Sequence, residues 1–379
     1  MSTKNRIHKL QESLKNPILI KKKENLFYLT GRSFDYRAEE YLLVKPAKLI
    51  NTNKRRINTK ADVVAFGSGL ENITWVKKSD RLKNIGEYLK GFKQLDIEWN
   101  FTLGELEYLK FKIKDKGLRL KIQPSRSEVD VMRQVKEAEE LAKIKKSMEV
   151  VGKIFSLVRK EISRGARSRS AGKRLGITEI KLAQFIQNTG LKMGAEDISF
   201  PAIVASGANA AIPHHVPSTK LLKAGESIII DFGFKYKNYC SDFTRTVFLK
   251  KVPKKLEIAY NQVEKAYNGS MNYINQLPLM AAIKGENVYQ KAVDILAEKK
   301  LDKYFIHSLG HGTGLEIHEL PNLSPKSKDE LKNGMVFSIE PGVYMPKVGG
   351  IRIEDLVYLK NNKVEKFINV STKLGNQII

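Results

Sequence analysis

The most constraining feature of the sequence is a pair of carboxylates, each at the border of a strand-like apolar run near the middle of the chain. The segment SIIID ends at Asp231, and the segment FTRTVF follows directly after Asp242. If the two runs form a hairpin that turns at residues 236–237, Asp231 and Asp242 lie directly opposite each other, with Cβ atoms roughly 5 Å apart. Two carboxylates that close repel and are costly to bury unless a proton or a cation lies between them. A cation is the stronger candidate, provided that the rest of the chain supplies more ligands.

The chain carries a net charge of +26 over 379 residues, a balance that can indicate a nucleic-acid partner. The densest basic clusters, at residues 21–23 and 54–56, are short and come with no RNA- or DNA-binding signature, so we expect solvated lysines and no nucleic-acid partner. No apolar run approaches the ~20 residues of a membrane span, and the N-terminal segment lacks the apolar core of a signal peptide. The single cysteine, Cys240, excludes an intramolecular disulfide. Together these features predict a cytoplasmic protein.

The distribution of strand-like and helix-like segments predicts two domains, 1–125 and 126–379. In the first domain the helical candidates are residues 2–14, 79–92 and 103–117. Its strand-like runs are residues 18–20, 26–31, 41–44 and 63–66. The second domain opens with apolar residues at helical spacing from Met132 to Val158 and continues with a helix from Thr178 to Met193.

Further candidate metal ligands lie in Gly- and Pro-rich turns after the carboxylate pair. His311 stands among glycines in SLGHGTG, Glu340 ends an apolar run in SIEPG, and Glu354 follows an alternating segment in GIRIED. With Asp231 and Asp242 they make four carboxylates and one imidazole, a donor set that suits Mn²⁺ or Co²⁺, with Zn²⁺ or Fe²⁺ as alternatives. Four carboxylates can compensate two divalent ions, and two ions about 3.5–4 Å apart can hold a bridging hydroxide for hydrolysis.

The order DFG, SDFTRT, HGTG, EPG and GIRIED resembles the pita-bread metallopeptidase family, which contains methionine aminopeptidase, aminopeptidase P, prolidase and creatinase. The resemblance covers roughly residues 126–360. The preceding segment NLFYLTG resembles the creatinase-like N-terminal domain of the proline-specific branch, aminopeptidase P and prolidase. The implied fold is α/β (α+β), with a creatinase-like mixed-sheet domain followed by a pita-bread domain that has a curved antiparallel sheet and covering helices.

The resemblance also implies a metal-binding role at each matching position. Asp231 would chelate one metal ion, Asp242 and Glu354 would bridge two ions, and His311 and Glu340 would complete the second site. The expected cofactor is a pair of divalent ions, Mn²⁺ first, with Co²⁺ or Zn²⁺ as alternatives.

Five residues would carry catalysis and substrate binding by the same resemblance. Glu340 would also accept the proton of the bridging water, and Arg352 would orient the carboxylates. His214 and His318 would contact the substrate and stabilise the scissile carbonyl or the tetrahedral intermediate, and His307 would line the proline-side pocket.

The resulting prediction is a dinuclear-metal Xaa-Pro aminopeptidase that uses a metal-bridging hydroxide, with Xaa-Pro dipeptidase (prolidase) as the alternative. Several microbial prolidases have an arginine after the HExP motif for the dipeptide carboxylate. Here that position is Asn322, which favours aminopeptidase P. A non-catalytic pita-bread binding module should lack ligands, whereas this chain keeps all five. The expected partners are peptides with proline at the second position and a second copy of the chain, since family relatives are commonly homodimers.

Overall fold

The computed structural model describes residues 3–31, 41–47, 63–66, 74–76, 85–125, 127–167, 169–170, 173–174 and 176–379. The chain divides into two compact units, Met1–Arg133 and Gln134–Ile379. Among the described helices, none is both long enough and apolar enough to cross a membrane.

The described part of the first unit is built around one sheet. Its helices are α1 (Thr3–Ser13), α2 (Lys23–Thr30), α3 (Ile85–Tyr88), α4 (Leu103–Asp115) and α5 (Glu128–Arg133). Its strands are β1 (Ile18–Ile20), β2 (Tyr41–Val44), β3 (Val63–Phe66), β4 (Thr74–Val76), β5 (Gln94–Glu98) and β6 (Lys121–Ser125). The sheet has the order β4-β3-β2-β1-β5-β6 and combines antiparallel pairs with parallel ones, which confirms the predicted mixed sheet.

One predicted strand of the first unit is wrong. Residues 26–31 were expected to be extended, but residues 26–30 belong to α2, where the buried residues include Leu26 and Leu29. A short apolar run fits either structure, and this spacing buries one face of a helix. Gly31 then ends the helix in the left-handed conformation, with φ of 72°. The predicted helices 2–14 and 103–117 correspond to α1 and α4, whereas residues 79–84 of the third lie outside the described residues.

The second unit contains the long helices and the larger sheet. Its helices are α6 (Ala138–Arg167), α7 (Glu179–Lys192), α8 (Lys254–Gln276) and α9 (Gly285–Ala297), with 3-10 helices at Gly207–Ala211, Asp302–Tyr304 and Leu374–Gln377. The predicted helix from Thr178 to Met193 is confirmed as α7, and most of the helical region predicted from Met132 to Val158 is confirmed as α6. Met132, however, lies in α5, and Val135 lies between α5 and α6. Its first strands are β7 (Arg169–Ser170), β8 (Lys173–Arg174), β9 (Asp197–Ile198), β10 (Ile203–Ser206), β11 (Ser227–Asp231), β12 (Phe234–Tyr236), β13 (Tyr239–Cys240), β14 (Phe243–Phe248) and β15 (Ile283–Lys284). The later strands are β16 (Gly310–Gly312), β17 (Glu319–Leu323), β18 (Glu330–Leu331), β19 (Val336–Ile339), β20 (Gly342–Met345), β21 (Gly349–Arg352), β22 (Glu354–Lys360) and β23 (Lys363–Lys366).

The larger sheet has the order β10-β11-β14-β22-β19-β16-β17, and β23 also pairs with β22. Its strand pairs are antiparallel, and the sheet curls into a half-barrel. Helices α8 and α9 share a buried apolar cluster with the sheet, in which Tyr260 and Tyr267 of α8 join Ala292 of α9, Phe337 of β19 and Val357 of β22. This core fixes the strands whose ends carry the predicted ligands.

The hairpin that carries the two aspartates has a different register from the predicted one. Tyr236 pairs with Tyr239, so the turn lies at Lys237 and Asn238, whose φ angles of 48° and 68° are both positive, as in type I′ turns. Because the turn lies one residue later than expected, Asp231 pairs with Thr244 and not with Asp242. Side chains alternate with period two, so this two-residue change of partner keeps both carboxylates on the same face.

Candidate active site

A cavity of about 540 Å³ opens over one face of the larger sheet. Every residue predicted to bind metal, to act in catalysis or to bind substrate contributes to its lining. These are Asp231, Asp242, His311, Glu340, Glu354, His214, His307, His318 and Arg352. The remaining lining residues include Phe200, Ile203, His215, Val216, Ile317, Asn322 and Tyr344.

Strand pairing places three of the carboxylates in one row. Thr244 of β14 lies between Asp231 of β11 and Glu354 of β22, because it pairs with both. Thr244 Oγ1 donates to Glu354 Oε2 at 2.6 Å. Ile339, the last residue of β19, pairs with Asp355, so Glu340, which follows it, comes beside Glu354. The apolar side chains of these strands face the core, and the row of carboxylates faces the cavity.

Among the described residues, Asp242, His311 and Glu354 form a group that could hold a metal ion. Each offers one ligand atom, and these atoms lie within 4.8 Å of one another. Asp231 and Glu340 line the same cavity but are not part of this tight group. The group mixes carboxylate oxygen with imidazole nitrogen, a donor set that suits first-row divalent metals.

His311 is held so that one ring nitrogen faces the carboxylates. Its Nδ1 lies 3.0 Å from the carbonyl of Gly312, which can only accept, so Nδ1 carries a proton. Burial and the neighbouring His318 lower the pKa of His311 to about 4, and Nε2 is therefore unprotonated near neutral pH. That nitrogen lies 3.3 Å from Glu340 Oε1 and 3.6 Å from Asp242 Oδ2. A lone pair that faces carboxylate oxygens requires a proton or a cation between them.

The glycines around His311 allow the backbone to approach closely. A Cβ at Gly310 would lie 2.0 Å from the carbonyl oxygen of Ser338, and one at Gly312 would lie 2.0 Å from that of Leu320. Both distances exclude a side chain at the present backbone positions. The sequence pattern HGTG therefore reflects tight packing of β16 between β19 and β17.

Asp231 is bound on one side by Arg352. Arg352 Nη2 donates to Asp231 Oδ2 at 2.5 Å, and both side chains are buried. The other oxygen, Asp231 Oδ1, is also buried, and no described residue donates a hydrogen bond to it. An unpaired oxygen of a buried carboxylate is costly, so this atom is suited to bind a cation.

Arg352 also contacts Tyr344, another residue that lines the cavity. Arg352 Nη1 donates to the Tyr344 hydroxyl at 2.8 Å, and that hydroxyl lies 2.8 Å from His307 Nε2. Burial and the charge of Arg352 lower the pKa of His307 to about 4. Since His307 Nδ1 donates to the carbonyl of Ser308 at 2.7 Å, Nε2 accepts a hydrogen bond from the Tyr344 hydroxyl. Sequence reasoning missed Tyr344 because GVYM is an ordinary apolar strand with no ligand spacing.

Burial shifts the protonation of three carboxylates in the cavity, Asp242, Glu354 and Glu340. It raises the pKa of Asp242 well above the usual range, and the charges of Glu354, Asp231 and Glu340 add to this effect. Burial likewise raises the pKa of Glu354, and it raises that of Glu340 to about 8 against the opposing charge of Arg352. These carboxylates therefore retain protons when no cation compensates their charge, and divalent cations would displace those protons.

His214 and His318 complete the polar lining. The His318 ring meets the His311 ring edge to face, with centroids 4.3 Å apart, and burial lowers the pKa of His318. His214 lies on the segment between β10 and β11, next to His215. His215 had no predicted role, yet its Nε2 lies 2.9 Å from a buried carboxylate, Glu179 Oε2.

Comparisons with known proteins show which family and which folds this chain is similar to. The family described as metallopeptidase family M24 matches residues 142–361. A Mycoplasma pneumoniae protein provisionally named Xaa-Pro aminopeptidase is 32% identical over 94% of each chain. A Pyrococcus horikoshii Xaa-Pro dipeptidase is 30% identical over 94% of this chain and 93% of its own length. Among solved structures, a Bacillus anthracis Xaa-Pro dipeptidase superposes over 100% of both chains with a TM-score of 0.83 and 26% identity. The predicted pita-bread fold is thereby confirmed.

Proposed function

This chain belongs to metallopeptidase family M24, and on that basis we propose that it is a metal-dependent Xaa-Pro dipeptidase. The observation that carries the proposal is the cluster of Asp242, His311 and Glu354 ligand atoms within 4.8 Å, in a cavity with two more carboxylates. The relatives favour a dipeptidase over the aminopeptidase predicted from sequence, since more of the comparisons carry the dipeptidase name.

Five side chains would hold the metal ions. These are Asp242, His311 and Glu354, whose ligand atoms are grouped, with Glu340 and with Asp231 through its unpaired Oδ1. Mn²⁺ or Co²⁺ suits a set of four carboxylates and one imidazole. When bound, the ions would polarise the scissile carbonyl and lower the pKa of a water molecule.

The chain's own groups would then move protons and stabilise charge. Glu340 would take a proton from the attacking water and pass it to the proline nitrogen as the peptide bond breaks. His214 and His318 would donate hydrogen bonds to the oxygen on which negative charge develops. Arg352 would keep Asp231 in place, because their side chains are joined at 2.5 Å.

Recognition of proline would depend on shape. The peptide nitrogen of proline has no N–H to donate, so a pocket must recognise the ring by contact. His307 and Tyr344 form one wall, with ring centroids 5.3 Å apart. Phe200, Val216 and Ile317 add apolar lining.

One observation favours an aminopeptidase as a second candidate. A dipeptidase must bind the C-terminal carboxylate of its substrate, and cations serve this purpose well. Asn322 is uncharged, and the one lysine or arginine among the described lining residues, Arg352, already binds Asp231 and Tyr344.

A peptide-length panel distinguishes the two candidates. Metal-loaded protein would be assayed with Xaa-Pro dipeptides, Xaa-Pro tripeptides and longer Xaa-Pro peptides. Cleavage that is confined to dipeptides supports the dipeptidase. Comparable or faster cleavage of the longer peptides supports the aminopeptidase.

A further inference from the structure

The segment from Ser206 to Ser218 forms a loop over the cavity. It leaves β10, continues through the 3-10 helix Gly207–Ala211 and returns to the neighbourhood of α7, where Ser218 O accepts from the Ile180 N–H at 3.0 Å. The loop carries His214 and His215 into the cavity lining. Its two ends thus lie close together, and the position of His214 depends on what fixes the loop between them.

One carboxylate, Glu179, binds the loop at both ends and in the middle. At the first end, Ser206 donates to Glu179 Oε1 from its backbone N–H and its hydroxyl, both at 2.7 Å. At the second end, Ser218 donates to Oε2 from its backbone at 3.1 Å and from its hydroxyl at 2.6 Å. Asn209 Nδ2 lies 3.1 Å from both oxygens, and His215 Nε2 lies 2.9 Å from Oε2.

Glu179 is ionised in this environment, although its side chain is fully buried. Burial raises the pKa of a carboxyl group, but the hydrogen bonds from Ser218, Ser206 and His215 outweigh it and lower the pKa of Glu179 to about 2. Its place at the first residue of α7 also favours negative charge. An ionised carboxylate can only accept, so His215 donates from Nε2.

We propose that Glu179 is a positioning residue for His214, holding the loop Ser206–Ser218 through His215 and the two loop-end serines. The inference rests on the proposed function, in which His214 donates to the scissile carbonyl oxygen. Glu179 itself does not line the cavity. We therefore expect it to act through the loop. A second anchor lies on the other side of His214, where Arg352 Nη1 donates to the Pro213 carbonyl at 3.3 Å.

The two anchors have separate effects. Arg352 belongs to the cavity wall, so its loss would change the carboxylates as well as the loop. Glu179→Gln changes the loop anchor alone. The variant keeps the side-chain shape but replaces one accepting oxygen by an NH₂ group, so the donors that faced this oxygen lose their partner. His214 should then sample positions away from the scissile carbonyl.

The kinetic test is a double-mutant cycle on metal-loaded protein with an Xaa-Pro dipeptide and an Xaa-Pro tripeptide. We expect Glu179→Gln to lower kcat roughly 10- to 100-fold with little change in KM, because displacement by about 1 Å costs that much. In a His214→Ala background the same change should add less than about twofold. Multiplicative losses in the double variant, or unchanged kcat in Glu179→Gln, would overturn the positioning role.

A second readout does not depend on peptidase activity. Hydrogen exchange measured by mass spectrometry should show faster exchange of residues 207–218 in Glu179→Gln, with unchanged Mn²⁺ uptake. The matched control is Glu140→Gln, which alters another buried carboxylate, bonded to the Tyr239 hydroxyl at 2.8 Å, and should leave the loop protected. If Glu179→Gln does not fold, Ser218→Ala should show the same pattern to a smaller extent.

The two readouts separate the failure of this inference from that of the proposed function. If wild-type protein cleaves no Xaa-Pro peptide, the proposed function fails. The loop anchor then stands if exchange rises in Glu179→Gln alone. Unchanged exchange in the loop refutes the anchor whatever the enzyme cleaves.

Discussion

Arg352 Nη2 lies 2.5 Å from Asp231 Oδ2, and both groups are buried in the wall of the cavity. This ion pair fixes one oxygen of the aspartate and leaves the other, Oδ1, without a described donor. The same guanidinium donates to Tyr344, which links it to His307. One arginine therefore orients a predicted metal ligand and a predicted substrate-binding residue together.

Replacing this arginine should destabilise the protein strongly. Arg352→Met leaves the buried Asp231 carboxylate without its partner, a loss that typically costs about 3–5 kcal/mol. Urea unfolding of chelator-treated protein measures the change in unfolding free energy. Arg164→Met is the control, because Arg164 forms an exposed pair with Glu161 and such pairs contribute about 1 kcal/mol or less. Equal stability losses in the two variants would show that the buried pair has no special role.

Metal binding should depend on the two carboxylates that form the candidate metal group with His311. Asp242→Asn and Glu354→Gln preserve the shape of the side chain but remove one negative charge from the candidate metal group. Each variant should therefore bind less Mn²⁺ and retain under about 1% of the hydrolytic rate. Isothermal titration with Mn²⁺ measures the number of sites. Asp294→Asn, at an exposed position of α9, should behave as wild type. Full metal stoichiometry in both site variants would mean that the ions bind elsewhere.

The stability contributed by Glu179 should disappear at low pH. Its folded pKa of about 2 is below the ordinary value of 4.5, so its contribution is complete above about pH 4.5 and is lost as the pH falls towards about 2. The difference in unfolding free energy between wild type and Glu179→Gln should therefore shrink from about pH 5 to about pH 3. Urea titrations of both proteins without metal measure it. A difference that is constant over this range would argue against a strongly hydrogen-bonded carboxylate.

Tight packing at Gly310 should be needed for the position of His311. Gly310→Ala would place Cβ 2.0 Å from the Ser338 carbonyl oxygen, so β16 must move and the protein should lose about 1–3 kcal/mol. Mn²⁺ affinity should fall as well. Gly104→Ala is the control, since its Cβ meets nothing within 4 Å and lies in α4, where alanine is favoured. Wild-type metal affinity in Gly310→Ala would contradict the packing argument.

The residues predicted from the sequence line one cavity, whereas the predicted register of the hairpin that carries two of them is wrong. Period-two alternation placed Asp231 and Asp242 on one face, and this survives the shift of the turn to Lys237 and Asn238. The exact turn was not predictable. Both turn residues adopt positive φ, but only Asn238 has a sequence preference for it, and no glycine marks the position.

The missed residues lack any local signal. Tyr344 is hydrogen-bonded to Arg352 and His307, which approach it only in the folded protein. Glu179 reads as an ordinary acidic residue in the first turn of a helix, and His215 as a neighbour of His214. The hydrogen bonds of these residues join segments that are not adjacent in the sequence, and a single sequence does not show which segments come together. The helix at residues 26–30 was missed because its apolar run is too short to show a period.

The most direct measurement is the rate of Xaa-Pro dipeptide and tripeptide hydrolysis by chelator-treated protein before and after addition of Mn²⁺. A metal-dependent Xaa-Pro peptidase should be inactive after chelation and should regain cleavage of the bond before proline on addition of Mn²⁺, in at least one of the two substrates. The assignment as a metal-dependent Xaa-Pro peptidase would be contradicted if the protein took up Mn²⁺ yet cleaved neither substrate. It would also be contradicted if the protein cleaved them equally well without metal.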